Sequence, residues 1–372
     1  MLKYFSVENF HNFKEKVSID FSDVAEYQYN TDCLTNGYLG KMIIYGRNAT
    51  GKTNLGRAIS DISGILYSHR QRDDPYLIHG GSEKKHAEFQ YRYHKSAMDR
   101  LTWESLSMNG KEVFELDYGE RRFHSLNLAV IDADGIAVNR YLDSTSLNGN
   151  DIQIPFLRWI INNAALRDDA PILNLPRFAD RMYYSTGDSK ASQSIDAAIE
   201  LLMLNQGELK RLEDFLNQIG VPCKLRLETL ADKKNELYFV YGSEKIPFRE
   251  IASSGTINLF VLYSVAISAN RTFAKYGGKI SLLYLDEFDA FYHYELARKI
   301  VLYLKYAMPD CQVIFTTHNT NLMSNELMRP DCLFILSTEG KLTSLTHATN
   351  RELREGHNLE KLYISGEFAD YE

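Results

Sequence analysis

Proline is scarce in this chain, with 8 among 372 residues, which excludes Pro-rich linkers and argues against long disordered tails. Cysteine is sparse too. Cys33, Cys223, Cys311 and Cys332 lie far apart without a Cys-x-x-Cys pair, so neither a zinc site nor a disulfide framework is expected. The longest apolar run, Leu259 to Ala269, is broken by Ser264 and Ser268 and falls short of the roughly 18 residues a membrane span needs. No signal-peptide core follows Met1-Leu2-Lys3-Tyr4-Phe5, because Glu8, Asn9 and His11 come next. Positive charge is not in excess: 42 Lys and Arg face 49 Asp and Glu, for a net charge of −7. That argues against coating nucleic acid by bulk charge, while leaving room for a local basic groove. Internal repeats and low-complexity tracts are missing as well. The expectation is a cytoplasmic, reduced protein with no membrane contact.

What remains is ordinary globular material, 44% hydrophobic and 24% charged, long enough for two or so domains with a real core. Residues 1–66 alternate short β-like runs (Tyr4–Val7, Val17–Phe21, Met42–Tyr45) with turns, then enter a helix-like stretch from Lys52 to about Leu66. Residues 67–150 are polar and rich in Tyr and His. Their period-2 runs, Phe89–Tyr93 and Leu101–Trp103, predict a β-meander. Residues 151–245 carry Ile195, Ile199, Leu202, Leu209, Leu212, Leu216 and Ile219 at mostly helical spacing, the core-facing stripe of one amphipathic helix or a helical pair. In 246–372 the pattern turns to strand, helix and strand: Ile280–Leu285, Tyr294–Tyr306 and Gln312–Phe315, with Cys332–Leu336 as a third strand. That rhythm indicates a parallel sheet with helical crossovers. The predicted class is α/β, a nucleotide-binding fold whose two halves, 1–66 and 246–372, are separated by a β-rich subdomain and an inserted, mainly helical lobe.

Gly46-Arg47-Asn48-Ala49-Thr50-Gly51-Lys52-Thr53 fits G-x-x-x-x-G-K-[ST] without a mismatch, after an apolar run and before a helical pattern. This is the strand–loop–helix context a phosphate loop requires. Its backbone N–H groups and the helix N-terminus can wrap phosphates, and Lys52 can reach the outer ones. The Thr53 hydroxyl is a candidate Mg²⁺ ligand. The second half of such a site is an acidic pair ending a buried strand, and Asp286-Glu287 follows Ile280–Leu285 directly. Asp286 is placed to hold Mg²⁺, directly or through water, and Glu287 to orient or deprotonate an attacking water. His318 closes the run Gln312–Thr317, where open α/β sheets place ligand contacts, and could meet the γ-phosphate or the water.

With these motifs in order, the sequence resembles ABC-type ATPases of the SMC and DNA-repair head class, and within it the smaller AAA-annotated ATPases of bacterial abortive-infection and anti-phage systems. Val7-Glu8-Asn9-Phe10-His11-Asn12-Phe13-Lys14 is similar to the opening of that class. Ala252-Ser253-Ser254-Gly255-Thr256 resembles its counterpart of the ABC signature, Asp286–His293 its acidic strand end and following loop, Thr316-Thr317-His318-Asn319 its His switch, and Leu359–Phe368 its closing stretch. The resemblance implies ATP and Mg²⁺ as cofactors, and a phosphate site formed by Gly46, Asn48, Ala49, Thr50, Gly51, Lys52, Thr53 and Asn54, with His11 and Asn12 at the nucleobase side. It implies Thr53 and Asp286 as metal ligands, and Glu287, His318 and Lys52 as catalytic residues. Ser254 and Gly255 would complete the ATP site of an opposing subunit, so that a homodimer or higher oligomer holds ATP at its interface. Four departures are visible. His293 stands where the loop after the catalytic Glu ends in Asp in transporters; His11 stands where a basic nucleobase contact is expected; the signature is a short Ser-Ser-Gly-Thr form; and the Mg²⁺-linked Gln could be Gln90 or Gln71.

Three functions compete. The first is an ATPase sensor or scaffold of an anti-phage system that controls a separate effector, a nuclease or toxin, with DNA or a phage protein as trigger. The chain ends about 35 residues after the run Cys332–Leu336, too few for the nuclease domain fused to such ATPases in the overcoming-lysogenization-defect type, so another chain is expected to cut. The second is a compact DNA-clamping ATPase of repair or chromosome maintenance. Arg70, Arg72, Lys84, Lys85, Arg92, Lys95 and Arg100 interleave with Tyr91, Tyr93 and Trp103, a basic and aromatic mix that can hold strands, although Asp73, Asp74, Glu83 and Glu88 among them favour a plain solvated face. Long SMC-like arms are excluded, since the one helical stretch is broken by Gly207 and Gly220. The third is a metabolic NTPase or kinase, for which no acceptor site can be named.

Overall fold

A computed structural model describes residues 1–67, 78–83, 87–93, 113–119, 122–131, 137–143, 174–186, 191–204, 207–268, 270 and 278–372. In chain order, β1 (Leu2–Glu8) and β2 (Val17–Asp20) form a hairpin, and the short pair β3 (Leu34–Thr35) and β4 (Tyr38–Leu39) precedes β5 (Lys41–Tyr45) and helix α1 (Lys52–Tyr67). Next come β6 (Ala87–Tyr93), β7 (Val113–Gly119), β8 (Arg122–Ile131) and β9 (Ala137–Asp143). Then follow α2 (Asn174–Ala179), β10 (Met182–Thr186), α3 (Ala191–Met203) and α4 (Glu208–Ile219), and after them β11 (Leu225–Thr229), β12 (Asn235–Tyr241) and β13 (Glu244–Pro247). The last third holds α5 (Phe248–Ile251), α6 (Ser254–Leu262) running into a π-helical stretch (Tyr263–Ser268), β14 (Leu282–Asp286), α7 (Tyr294–Ala307), β15 (Gln312–Thr317), β16 (Leu333–Leu336), β17 (Leu342–Ser344) and α8 (Leu359–Ile364).

The central sheet runs β10-β14-β15-β5-β16-β17, parallel throughout except for β17, which pairs antiparallel to β16 at the edge. Every residue of β5, β14, β15 and β16 is buried, as befits a parallel sheet covered on both faces. The phosphate-loop strand β5 thus sits between two strands from the far end of the chain, which joins the two sequence-distant halves in one sheet. Because the strands are parallel, Tyr45, Asp286 and Thr317 all end at one edge, with Thr317 opposite Tyr45. Helix α1 lies against this sheet. A Cβ at Gly56 would come within 2.4 Å of the Tyr284 ring and 2.6 Å of the Tyr184 ring, so only glycine permits so close an approach.

The second sheet is antiparallel, in the order β2-β1-β6-β7-β8-β9. Its consecutive pairings from β6 to β9 make the meander that the period-2 pattern at Phe89–Tyr93 predicts; Leu101–Trp103 lies outside the described residues. The β-rich block is not separate, since β1 of the N-terminal block is the partner of β6. The block read as a helical lobe also differs from expectation. It holds the α3–α4 pair, whose Ile195, Ile199, Leu202, Leu212, Leu216 and Ile219 are buried, but β10 belongs to the central sheet and β11–β13 form a sheet of their own. Gly207 and Gly220, both at positive φ, begin and end α4, as an αL cap allows. No described helix is long and apolar enough to cross a membrane.

Candidate nucleotide site

The phosphate loop leaves β5 at Tyr45 and enters α1 at Lys52. Within it, Ala49 (φ 67°) and Gly51 (φ 107°) take left-handed backbone conformations, and a Cβ at Gly51 would meet the Asn12 side chain at 2.4 Å and the Phe13 ring at 2.8 Å. The Thr50 hydroxyl donates to the Arg47 carbonyl at 3.0 Å. Lys52 is 4% exposed, and its Nζ donates to the carbonyls of Gly46 (2.7 Å) and Arg47 (2.9 Å), so the ammonium is held inside the curl of the loop. Burial lowers its pKa, while the carboxylates of Glu287, Asp286 and Asp289 raise it. The result is a cation placed for anionic oxygens.

The N-terminal hairpin braces this loop. Phe10 and Phe13 exchange both backbone hydrogen bonds, at 2.9 and 2.8 Å, and the tight turn between them puts His11 at φ 49° with its ring edge-on to Phe10. Asn12 Nδ2 then donates to the Thr50 carbonyl at 3.0 Å, and Asn12 Oδ1 accepts from Asn54 Nδ2 at 2.7 Å. In this structure Asn12 and Asn54 therefore meet at the loop.

The acidic strand end is bound to the loop directly. Thr53 Oγ1 donates to Asp286 Oδ2 at 2.6 Å, Thr316 Oγ1 donates to Asp286 Oδ1 at 2.6 Å, and the Glu287 N–H donates to Thr316 Oγ1 at 2.8 Å. One chain of hydrogen bonds thus connects the start of α1, the end of β14 and the end of β15. The Tyr284 hydroxyl, buried with its pKa raised well above the ordinary value, donates to the Lys52 carbonyl at 2.6 Å. Glu287 is half-buried at φ 46°, a left-handed conformation that costs a non-glycine residue on the order of 1 kcal/mol or more. The surrounding hydrogen bonds hold it there. For a divalent metal, a threonine hydroxyl and a carboxylate 2.6 Å apart offer oxygen donors alone, the set a hard cation such as Mg²⁺ takes, so the residues present fit that ion.

The family description "AAA domain, putative AbiEii toxin, Type IV TA system" matches residues 41–324, well over half of the chain. The chain belongs to this AAA-domain family. Comparison with curated protein sequences gives no significant match. Among solved structures, the AAA-domain chain is similar to an SMC head bound to the C-winged helix domain of ScpA, at 14% identity and a TM-score of 0.55, covering 90% of this chain and 94% of that one. An SMC head domain from Thermotoga maritima aligns at 14% identity over 92% of this chain and 98% of that one, with a TM-score of 0.48. A Smc head with an extended coiled coil, bound to the C-terminal domain of ScpA derived from Pyrococcus furiosus, aligns at 14% over 92% and 96%, with a TM-score of 0.49. The first likeness shows the fold, that of an SMC head.

The segment expected to serve as the signature faces outward. Ser253 caps α6, its Oγ accepting from the Thr256 N–H at 3.2 Å, and Ser254 at the first helical position is exposed. A Cβ at Gly255 would lie 3.0 Å from the Phe291 carbonyl, so the short signature packs on the loop after Glu287. No hydrogen bond among the described residues joins Ser254 or Gly255 to the phosphate loop of the same chain. His318 is exposed, one residue past β15, at the same sheet edge. His293 is exposed and precedes α7. Gln90 lies on β6 opposite Ser6 and Glu115; Gln71 lies outside the described residues, as do Arg70, Arg72, Lys84, Lys85, Lys95 and Arg100. Sequence reasoning missed the part played by Thr316, which bonds both acidic residues. Its position opposite Asp286 depends on strand pairing and has no local signature.

Proposed function

We propose that this chain binds ATP with Mg²⁺ at Gly46–Thr53 and hydrolyses it in a head-to-tail dimer. The observation that carries the reading is the unbroken hydrogen-bonded chain Thr53–Asp286–Thr316–Glu287 beside a buried Lys52. The loop N–H groups and the α1 N-terminus cradle the phosphates. Lys52 exchanges its loop carbonyls for phosphate oxygens, and Thr53 and Asp286 hold the metal. Mg²⁺ supplies neutralisation of the charge on the phosphate oxygens. Glu287, fixed through its backbone N–H by Thr316, accepts the proton of the attacking water. His318 contacts the γ-phosphate side of the site, and His11 with Asn12 borders the nucleobase. Ser254 and Gly255 present the free N–H groups of α6 to the phosphates of a second copy, which makes the interface isologous.

In the cell we assign this ATPase to an abortive-infection or anti-phage system, as the sensor or scaffold that controls a separate nuclease or toxin. The family description, with its toxin and Type IV system, supports that role. A second reading, a compact DNA-clamping ATPase of repair or chromosome maintenance, draws on the SMC-head fold; the similar SMC head binds a winged-helix domain of ScpA, and a small adaptor of that kind is the matching partner here. Pull-down of Glu287→Gln protein from its host separates the two. A stoichiometric nuclease-like or toxin-like protein supports the defence role, and bound DNA with salt-sensitive affinity supports the clamp.

A further inference from the structure

Arg47, the residue after Gly46 in the phosphate loop, is tied in two directions. Its carbonyl accepts from Lys52 Nζ at 2.9 Å, from the Thr50 hydroxyl at 3.0 Å and from the Thr50 N–H at 3.4 Å. Its side chain leaves the loop. The guanidinium donates to Glu372 Oε2 at 2.6 Å, 325 residues further along the chain. A path of direct contacts therefore runs from Glu372 through Arg47 to the ammonium of Lys52.

Glu372 is held by a segment built to place it. Leu359 and Phe368 are fully buried, and Asn358 caps α8 by accepting from the Lys361 N–H at 2.9 Å. Glu367 accepts from the Thr349 hydroxyl and lies 3.4 Å from Arg351. The Tyr371 ring lies beneath Lys341, whose Nζ is 5.4 Å from its centroid. Burial, and the Glu372 carboxylate beside it, raise the pKa of the Tyr363 phenol. The Glu372 side chain is 18% exposed, against 69% for Arg47. Helix α8 lies against Thr320–Leu322, the turn just past His318. The segment Leu359–Glu372 thus borders the nucleotide site at two points, the phosphate loop and the turn after β15.

We propose that Glu372 is a positioning residue that holds the phosphate loop, through Arg47, in its nucleotide-free curl. The reason lies in Lys52. Its ammonium is tied to the Gly46 and Arg47 carbonyls and must leave them to bind phosphate. An ion pair that pins Arg47 keeps its carbonyl where Lys52 finds it, and so competes with the arriving nucleotide. Coupling of this kind is reciprocal, so bound nucleotide loosens the seat of Leu359–Glu372. The pair itself bounds the effect. With Arg47 largely in solvent it is worth a factor of roughly two to five, enough to tune affinity and too little to block the site.

The effect on affinity rests on the function proposed above, while the hold on the loop does not, so two readouts are paired. ADP with Mg²⁺ is the probe, since its β-phosphate engages the loop of a single chain. In calorimetry, Glu372→Gln should tighten ADP binding roughly two- to five-fold, and this gain should vanish in an Arg47→Gln background. Unchanged or weaker binding overturns the proposal. So does an equal gain in both backgrounds, which would be a plain charge effect. Amide hydrogen exchange gives the reciprocal readout. Saturating ADP should speed exchange across residues 359–372, a response that a merely structural Glu372 would not show; slower or unchanged exchange overturns the coupling. Should neither ADP nor ATP bind any of these chains, the function proposed above fails, and exchange in the nucleotide-free protein decides the rest. There Glu372→Gln should speed exchange across residues 47–52, and rates equal to wild type would show that Glu372 does not hold the loop.

Discussion

The phosphate-loop region and the segment around Ser254 are built in opposite ways. Thr53, Asp286, Thr316 and Glu287 are locked together inside one chain by bonds of 2.6–2.8 Å, and Lys52 beside them is held by the Gly46 and Arg47 carbonyls at 2.7 and 2.9 Å. Ser254, by contrast, stands exposed at the start of α6 behind Ser253, whose hydroxyl bonds the backbone N–H and the hydroxyl of Thr256 in its own helix. A buried, pre-formed network costs little reorganisation when its ligand arrives. An exposed helix start with free N–H groups is an unfinished anion site. The difference teaches where control can act. The first part is bonded together in the lone chain, and on the function proposed above the second acts only when another copy brings phosphates to it.

The comparison can be broken at the ready half first. Glu287→Gln removes the proposed base and should lower ATP hydrolysis by about 10²–10³-fold while ATP stays bound; unchanged turnover in a phosphate-release assay would show that another residue activates the water. Lys52→Ala removes the buried cation and should weaken ATP binding by roughly 100-fold, a loss that calorimetry would read directly. Retained affinity would undo the phosphate assignment. Thr316→Val cuts two bonds of the network at once, and the Mg²⁺ concentration for half-maximal hydrolysis should rise by about tenfold. A value equal to wild type would reduce Thr316 to a packing residue. Smallest is Asn12→Ala, which removes the brace between the N-terminal turn and Thr50; it should lower stability by about 1 kcal/mol in denaturant unfolding, with hydrolysis at saturating ATP nearly intact.

Much of the ready half is legible in sequence, because its residues are local. Gly46–Thr53 is one continuous loop, and Asp286-Glu287 follows one buried run. The spacing of Ala297, Ile300, Val301 and Leu304, all buried on α7, shows equally well in the amino-acid order. The parts that escape depend on long-range pairing. Met182–Thr186 reads as part of a helical block because five residues of Met, Tyr, Ser and Thr carry no strong strand pattern; its pairing with Leu282–Asp286 makes it the edge of the central sheet. Thr316 and Asp286 are brought together by the register of β14 and β15, and Asn12 reaches Thr50 across a turn whose geometry comes from the Phe10–Phe13 pairing.

The central claim is that a working site needs the phosphate loop of one chain and the signature of another. The most direct test mixes Lys52→Ala chains with Ser254→Arg chains, each inactive alone. In a mixed dimer one site combines the intact loop of the Ser254→Arg chain with the intact signature of the Lys52→Ala chain, so hydrolysis should return to roughly a quarter of the wild-type rate on simple subunit statistics. A mixture as inactive as its two components would contradict the shared site.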